Sequence, residues 1–421
     1  MSAIKLPEIT PSSLQFIDDR IQDIVDTINE AFIVKTSVLD PSKFSIESKD
    51  KTRYRYTPTM DTLYLYLKGI GKSISRTDLR ILLRDQNYFD QENPAINYLD
   101  SIRGSFKGES HIDKLCDHIT PRVFGEDPDY YRERMNHLIR KWMVASVAQW
   151  IDRIPNSVAL GFISMEEYIG KTFLTRFFLP EELESYYVQP ENDSRFSLSD
   201  VFTRYLIVCF DDLVGINKGT ARIEEFKKYT RSQMILVQRR NDEFPTERPR
   251  VAVTMFTANR TAEMGGFLTQ NHGTSRYGTI EVEKIDKRYS KRVKVDQMWA
   301  EALMLYENSE FDPYYSDEYI QDLQEYNHRY MIQTDEEKYV KLYILPPNDT
   351  EEVEDEEANW YTASEIVSIL RQERKILSAD RMRVTPQSVG KALSSLGFIK
   401  ESKRGPKKDY PEYKYRVKFN F

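Results

Sequence analysis

The chain has 421 residues, 40% hydrophobic and 30% charged, with a formal charge of −7. That length holds two to four domains, each able to bury its own core, and two cysteines, Cys116 and Cys209, exclude a disulfide framework. The opening MSAIKLPEITPSS lacks the apolar region of a secretory signal, and the longest apolar stretch, 142–151, is broken by Ser146 and Gln149. A cytoplasmic chain with no membrane partner is expected.

Residues 12–32 place Leu14, Ile21, Ile24, Val25 and Ile28 at helical spacing behind Ser12 or Ser13 as a cap. Short β-favouring runs follow at 34–38 and 52–56. Residues 60–150 read as mostly helical, with a break at Asn93-Pro94 and a long amphipathic helix over about 129–153. Within this region Gly71-Lys72-Ser73 leads straight into Thr77-Asp78-Leu79, the start of another helix. With no acidic strand following at a useful distance, it reads as a helix–helix turn. His111, Cys116 and His118 lie on a predicted helix without a second ligand pair, so no metal site is expected there.

From residue 158 apolar strands alternate with helices, the pattern of an α/β core. ALGFIS (159–164) reads as a strand, KTFLTRFFL (171–179) as a helix, and YLIVCF (205–210) and RVAVTMFT (250–257) as strands. The loop between the first two holds Ile169-Gly170-Lys171-Thr172. In a phosphate-binding loop, backbone N–H groups cradle phosphates, a lysine adds charge, and the next hydroxyl ligates Mg²⁺. The usual spacing asks for glycine at position 165, where this chain has Met165, and Tyr168 stands where a second glycine is common. A non-glycine residue in left-handed geometry costs about 1–2 kcal/mol, so these departures weaken affinity more readily than they abolish it.

Asp211 and Asp212 end an apolar strand 39 residues after Thr172. The first suits a Mg²⁺ ligand beside Thr172, and the second suits a base that orients or deprotonates the attacking water. Asn259 ends the next strand, where an amide can sense a γ-phosphate. Seventeen residues later Arg276 sits in Gly273-Thr274-Ser275-Arg276, beside flexible backbone, where it can reach a neighbouring subunit's phosphate. Asp212, Asn259 and Arg276 are the catalytic candidates. Ile169, Gly170, Lys171, Thr172 and Asp211 are the nucleotide candidates, with ATP and Mg²⁺ as cofactors.

Between the acidic strand and Asn259 runs a basic stretch: Lys227, Lys228, Arg231, Arg239, Arg240, Arg248 and Arg250. Met234-Ile235-Leu236-Val237 and the turn after it predict a hairpin presenting Arg239 and Arg240 to nucleic-acid phosphates. Residues 291–347 return to helix, and the acidic run TEEVEDEE (350–357) reads as a linker. Helices at 362–372 and 385–396, the second stopped by Gly397, precede strands near 398–400 and 413–419. This is a winged-helix pattern. Residues 381–421 carry eleven Lys/Arg against three Asp/Glu, which makes Lys391, Lys403, Arg404, Lys407 and Lys408 DNA-binding candidates.

The expected architecture is multidomain α and α/β. Residues 1–152 form a mainly helical N-terminal region and 153–310 a P-loop NTPase core of AAA+-like type. Residues 311–358 form a helical segment and acidic linker, and 359–421 a winged-helix-like basic domain.

With these elements the chain resembles the virulence-associated protein E family, P-loop ATPases of phages and mobile elements related to superfamily 3 helicases. The resemblance covers roughly residues 60–310 and includes NPAINYLDSIRGSFKG, GKTFLTRFFLP, the acidic strand, PRVAVTMFTAN, GTSRYG and VDQMWAEALMLY. It implies a homo-oligomer, a hexameric ring, that couples ATP hydrolysis to movement on DNA. Many members of the family fuse a primase upstream, and with neither room nor motif for one in this sequence any primase is expected on a separate chain. It carries Lys171, Thr172, Asp211, Asp212, Asn259 and Arg276 onto matching positions. Two other readings stay open: a non-hydrolysing initiator or loader that keeps the fold, and an ATP-dependent nucleic-acid-sensing defence protein.

Overall fold

A computed structural model describes residues 19–40, 43–85, 87–125, 127–190, 197–213, 220–239, 244–269, 272–332, 334–347, 357–373, 375–377, 384–404 and 411–421. They divide into two compact units, one within residues 1–261 and 271–328, the other within 262–270 and 329–421.

The first unit opens with α1 (Asp19–Ala31), β1 (Phe32–Ser37) and β2 (Phe44–Ser48). Residues 52–56, expected to be extended, form a turn instead. Asp50 Oδ1 accepts hydrogen bonds from Thr52 N (2.9 Å) and Thr52 Oγ1 (2.7 Å), which bends the backbone away from strand geometry. Then come α2 (Met60–Gly69), α3 (Arg76–Leu82) and β3 (Asp90–Glu92), and the strands pair in the order β2-β1-β3. Ile28, Phe32, Leu63, Leu67 and Leu79 fill a core under this sheet. Between α2 and α3, Gly71 turns the chain at φ 82, and Lys72 Nζ donates to Asp23 Oδ1 at 2.6 Å. The Gly-Lys-Ser tripeptide is thus a helix–helix turn.

Next are α4 (Pro94–Ile102), α5 (His111–Cys116), β4 (Ile119–Pro121) and α6 (Pro128–Asp152). The expected break in the helical region at Asn93-Pro94 is the start of α4. Asn93 Oδ1 accepts from Ala95 N at 3.1 Å, and proline occupies a first-turn position that needs no donor. Residues 141–150 of α6 are buried on every side.

The α/β core follows in the order β5 (Ala159–Ile163), α7 (Lys171–Phe177), β6 (Tyr187–Val188), α8 (Leu198–Arg204), β7 (Ile207–Phe210), α9 (Thr220–Tyr229), β8 (Met234–Val237), β9 (Thr246–Pro249), β10 (Val253–Ala258), β11 (Tyr277–Ile285), α10 (Tyr289–Arg292), α11 (Val295–Glu307) and α12 (Asp317–Asn327). Its sheet runs β4-β11-β5-β10-β7-β6. All neighbours pair parallel except β4, which is antiparallel to β11. Strand β11 escaped the sequence reading because its apolar run is interrupted by charge. Glu281 is nonetheless buried and pairs with Arg122 at 3.1 Å. Strands β8 and β9 form an antiparallel hairpin apart from the main sheet, so the second strand lies within the 239–249 stretch expected to be the turn before β10.

Helix α6 is fastened to β10 and the residues just before it. Trp142 Nε1 donates to Thr254 O (3.2 Å), Gln149 Nε2 to Ala252 O (2.9 Å) and Trp150 Nε1 to Val251 O (2.9 Å). The blocks NPAINYLDSIRGSFKG and VDQMWAEALMLY meet in space. Tyr98 OH donates to Asp296 Oδ1 at 2.9 Å, Lys107 N to Gln297 Oε1 at 3.1 Å, and Gln297 Nε2 to Ser105 O at 3.1 Å. Trp299 then reaches the end of α7, donating to Phe178 O at 2.8 Å. These blocks buttress the helix that carries Lys171.

In the second unit lie α13 (Asp335–Tyr343), β12 (Ile344–Leu345), β13 (Asn359–Thr362), α14 (Ala363–Gln372), α15 (Pro386–Ser395), β14 (Lys400–Arg404) and β15 (Pro411–Phe419). Strand β15 pairs with β12, β13 and β14, and β14–β15 is the hairpin expected of a wing. Tyr339, Val340 and Ile344 share a core with Ile366, Leu370, Leu393 and Val417, so α13, upstream of the acidic run, supplies the module's first helix. Among the described residues no helix is long and apolar enough to cross a membrane.

One glycine in the core makes room for an aromatic ring of the neighbouring strand. Gly161 on β5 faces Phe256 on β10, and a Cβ there would lie 2.0 Å from the Phe256 ring. Gly161→Ala is expected to destabilise the protein by about 1–3 kcal/mol, seen as a lower urea midpoint with an unchanged slope. An unchanged midpoint would show that the ring can move aside.

Candidate nucleotide site

Parallel strands place all their carboxyl ends on one edge, and loops leaving that edge form the crevice. The order β5-β10-β7 therefore sets the loop after β5 and the acidic pair after β7 on either side of the β10 end. Phe210 is level with Phe256, so the next residues, Asp211 and Thr257, also meet. Thr257 Oγ1 donates to Asp211 Oδ1 at 2.5 Å and accepts from Asp212 N at 3.0 Å. Thr172 Oγ1 donates to the same Asp211 oxygen at 3.2 Å, and Asn259 N donates to Asp212 Oδ1 at 3.2 Å.

These residues surround a cavity of ≈ 400 Å³ lined by Ile169, Gly170, Lys171, Thr172, Asp211, Thr257 and Asn259, among others. Lys171 is buried, and its Nζ donates to Ser164 O (2.9 Å) and Glu166 O (3.2 Å). Burial lowers its pKa, opposed by the carboxylates of Asp212, Asp211 and Glu167. Thr172, Asp211, Asp212 and Asn259 are exposed on the open side.

The backbone is strained at two places around the cavity. Asp212 and Leu213 take left-handed angles (φ 49 and 52), each held at about 1–2 kcal/mol above an ordinary conformation. The hydrogen bonds from Thr257 and Asn259 fix that turn. Gly170 has φ 108 and Tyr168 φ 60, whereas Met165 is absent from the positive-φ residues. Of the two expected departures from glycine, Tyr168 carries the left-handed strain and Met165 does not.

Arg276 lies outside this cavity. It directly precedes Tyr277, which pairs with Ala159, so it stands at the amino edge of the sheet, about 13 Å from the carboxyl end of β5. It is half-buried, and burial followed by the nearby Arg231 lowers its pKa.

The basic residues divide. Arg239 is not offered at an open tip: its side chain is 10% exposed, and Nε donates to Asp200 Oδ1 at 2.8 Å. Arg250 is internal, with Nη1 on Thr230 O and Nη2 on Asn156 O, both at 2.9 Å. Lys391 is exposed on α15, and Lys403 and Arg404 lie on β14. Arg240, Lys407 and Lys408 fall outside the described residues. His111 Nδ1 accepts from Lys294 N at 2.9 Å, His118 pairs with Asp286 at 3.0 Å, and Cys116 is buried.

Thr257 and Ser164 were missed as site residues. Thr257 had a legible signal: in a strand it shares a face with Asn259, two residues on. Ser164 acts through its backbone carbonyl, which no side-chain pattern reveals. Thr257→Val would strip the partner from Asp212 N and one from the Asp211 carboxylate, costing about 1–3 kcal/mol in denaturant unfolding. Thr257→Ser should keep most of that stability. Equal stability of the valine variant would show that the hydroxyl bridge does not hold the turn.

A family model described as virulence-associated protein E-like domain matches residues 99–332. Its span starts and ends later than the expected 60–310 and reaches past α12. No curated protein matches the chain. Among solved structures, the apo NrS-1 C terminal region (305-718) aligns with a TM-score of 0.46 at 11% identity, covering 95% of this chain and 99% of that one. An A form apo structure of the same region also gives 0.46 and 11%, covering 95% and 100%. The JCV Helicase aligns with a TM-score of 0.27 at 13% identity, covering 64% of this chain and 78% of that one. The matched family segment is more than half of the chain and contains every residue lining the ≈ 400 Å³ cavity. This chain belongs to the virulence-associated protein E-like domain family.

Proposed function

We propose that the chain is an ATP-hydrolysing, helicase-type motor acting on DNA in the replication of a phage or mobile element. The observation that carries this reading is the convergence of Lys171, Thr172, Asp211, Thr257 and Asn259 on one cavity, with Asp212 hydrogen-bonded at its edge.

Each residue has a physical task. Lys171 brings a positive charge to the β/γ-phosphates. Thr172 and Asp211, already in hydrogen-bond contact, offer the few oxygen donors that suit Mg²⁺ alongside phosphate and water. Bound there, Mg²⁺ supplies charge neutralisation at the phosphates. Asp212, fixed by Thr257 and Asn259, accepts the proton of the attacking water as the β–γ phosphoanhydride bond breaks. The Asn259 amide orients that water against the γ-phosphate. A neighbouring cavity of ≈ 730 Å³ shares Phe173 with the first, and Phe177, Leu179 and Val295 give it apolar walls suited to the nucleoside.

Arg276, on the far edge of the sheet, suits a phosphate contact on an adjacent subunit, which supports a homo-oligomeric, hexameric ring. Lys391 on α15, with Lys403 and Arg404 on the wing strand, supports DNA-backbone binding by the winged-helix unit.

ATP hydrolysis measured with and without single-stranded DNA tests the reading. The wild-type chain should hydrolyse ATP faster with DNA, and Lys171→Ala should lose at least about 100-fold in rate. Equal rates in the two proteins would contradict it. Nucleotide binding without turnover in the wild type would favour the non-hydrolysing loader.

A further inference from the structure

The loop leaving β11 brings a second lysine to the phosphate-binding loop. Lys287 Nζ donates to Tyr168 O at 3.3 Å, and a Cβ added to Gly170 would lie 3.3 Å from Lys287 Cε. Its side chain therefore touches the loop on both sides of Ile169. The adjacent carboxylate, Asp286, is engaged by Arg288 Nε (2.8 Å) and His118 Nδ1 (3.0 Å).

Tyr168 is the residue that needs help. It holds φ 60 with 92% of its surface exposed, so packing of its ring does little to fix the left-handed turn. Glycine would adopt that geometry freely, whereas a tyrosine returns to extended or right-handed backbone unless something restrains it.

We propose that Lys287 is a positioning residue of the nucleotide site, holding Tyr168 in the left-handed turn that a glycine would take unaided. The proposal rests on the nucleotide reading above. The hydrogen bond to the Tyr168 carbonyl fixes the peptide plane between Tyr168 and Ile169, and hence the direction of the Ile169 N–H. Because this N–H belongs to the backbone cradle, a loop that samples other turns presents fewer donors to phosphate at once. Lysine and tyrosine thus form a compensating pair, and replacing Tyr168 with glycine should make Lys287 dispensable.

A double-mutant cycle on the full chain tests this, read as the Kd of a fluorescent ATP analogue with Mg²⁺. Lys287→Ala is expected to weaken binding about fivefold in the wild-type background and less than about twofold in a Tyr168→Gly background. Lys287→Arg, which keeps a donor, should restore most of the affinity. Both positions are exposed at the loop, and a thermal melt of each variant confirms that it is folded. The same fold-loss in both backgrounds overturns the proposal, because Lys287 would then act on the nucleotide independently of the turn. No effect of Lys287→Ala overturns it as well. A wild-type chain that does not bind the analogue removes the nucleotide reading itself, an outcome separate from a failed cycle.

Discussion

The site depends on the register of β10 between its two parallel neighbours. β5 delivers the loop with Lys171, β7 delivers Asp211 and Asp212, and neither strand touches the other. The end of β10 lies between them, and Thr172 Oγ1 reaches across to Asp211 Oδ1 at 3.2 Å. Thr257 Oγ1 serves both the Asp211 carboxylate and the Asp212 N–H, and two residues on, Asn259 N closes onto Asp212. A shift of one residue would turn Thr257 and Asn259 to the opposite face. The Gly161–Phe256 packing and the bonds from Trp142, Gln149 and Trp150 hold that register from below.

Much of this was legible in the sequence because parallel strands buried on both faces read as apolar runs. ALGFIS, YLIVCF and RVAVTMFT announced β5, β7 and β10, and Gly170-Lys171-Thr172 after the first, Asp211 and Asp212 after the second and Asn259 after the third announced the site. What escaped was whatever departs from that simple signal. Strand β11 carries a buried Glu281 neutralised by Arg122, and this pairing cannot be read without the fold. The turn at 52–56 was hidden among β-favouring residues because Asp50 decides its geometry. Arg239 and Arg250 looked like surface charge, yet one is spent on Asp200 and the other on internal carbonyls. Met165 attracted attention because motif spacing ignores backbone angles, and the angles place the strain at Tyr168.

The family blocks acquire a mechanical meaning in this fold. NPAINYLDSIRGSFKG holds no residue of either cavity, and VDQMWAEALMLY lends Val295, Asp296 and Gln297 only to the ≈ 730 Å³ one. The two blocks lock to one another, and Trp299 ties them to the end of α7. The helix behind Lys171 is short, seven residues, and such a helix gains its stability from neighbours rather than from its own hydrogen bonds. The second unit follows a different logic. Its core draws α13, α14 and α15 onto β15, leaving Lys391 exposed.

The central claim is that three strand ends compose one nucleotide site. Hydrogen exchange of the backbone amides, with and without ATP and Mg²⁺, tests it most directly. Protection should rise together at 165–172, 210–213 and 257–259 and stay unchanged at 70–73, where Gly71-Lys72-Ser73 forms only a turn. No protection at the three strand ends, or protection at 70–73 in their place, would contradict the account.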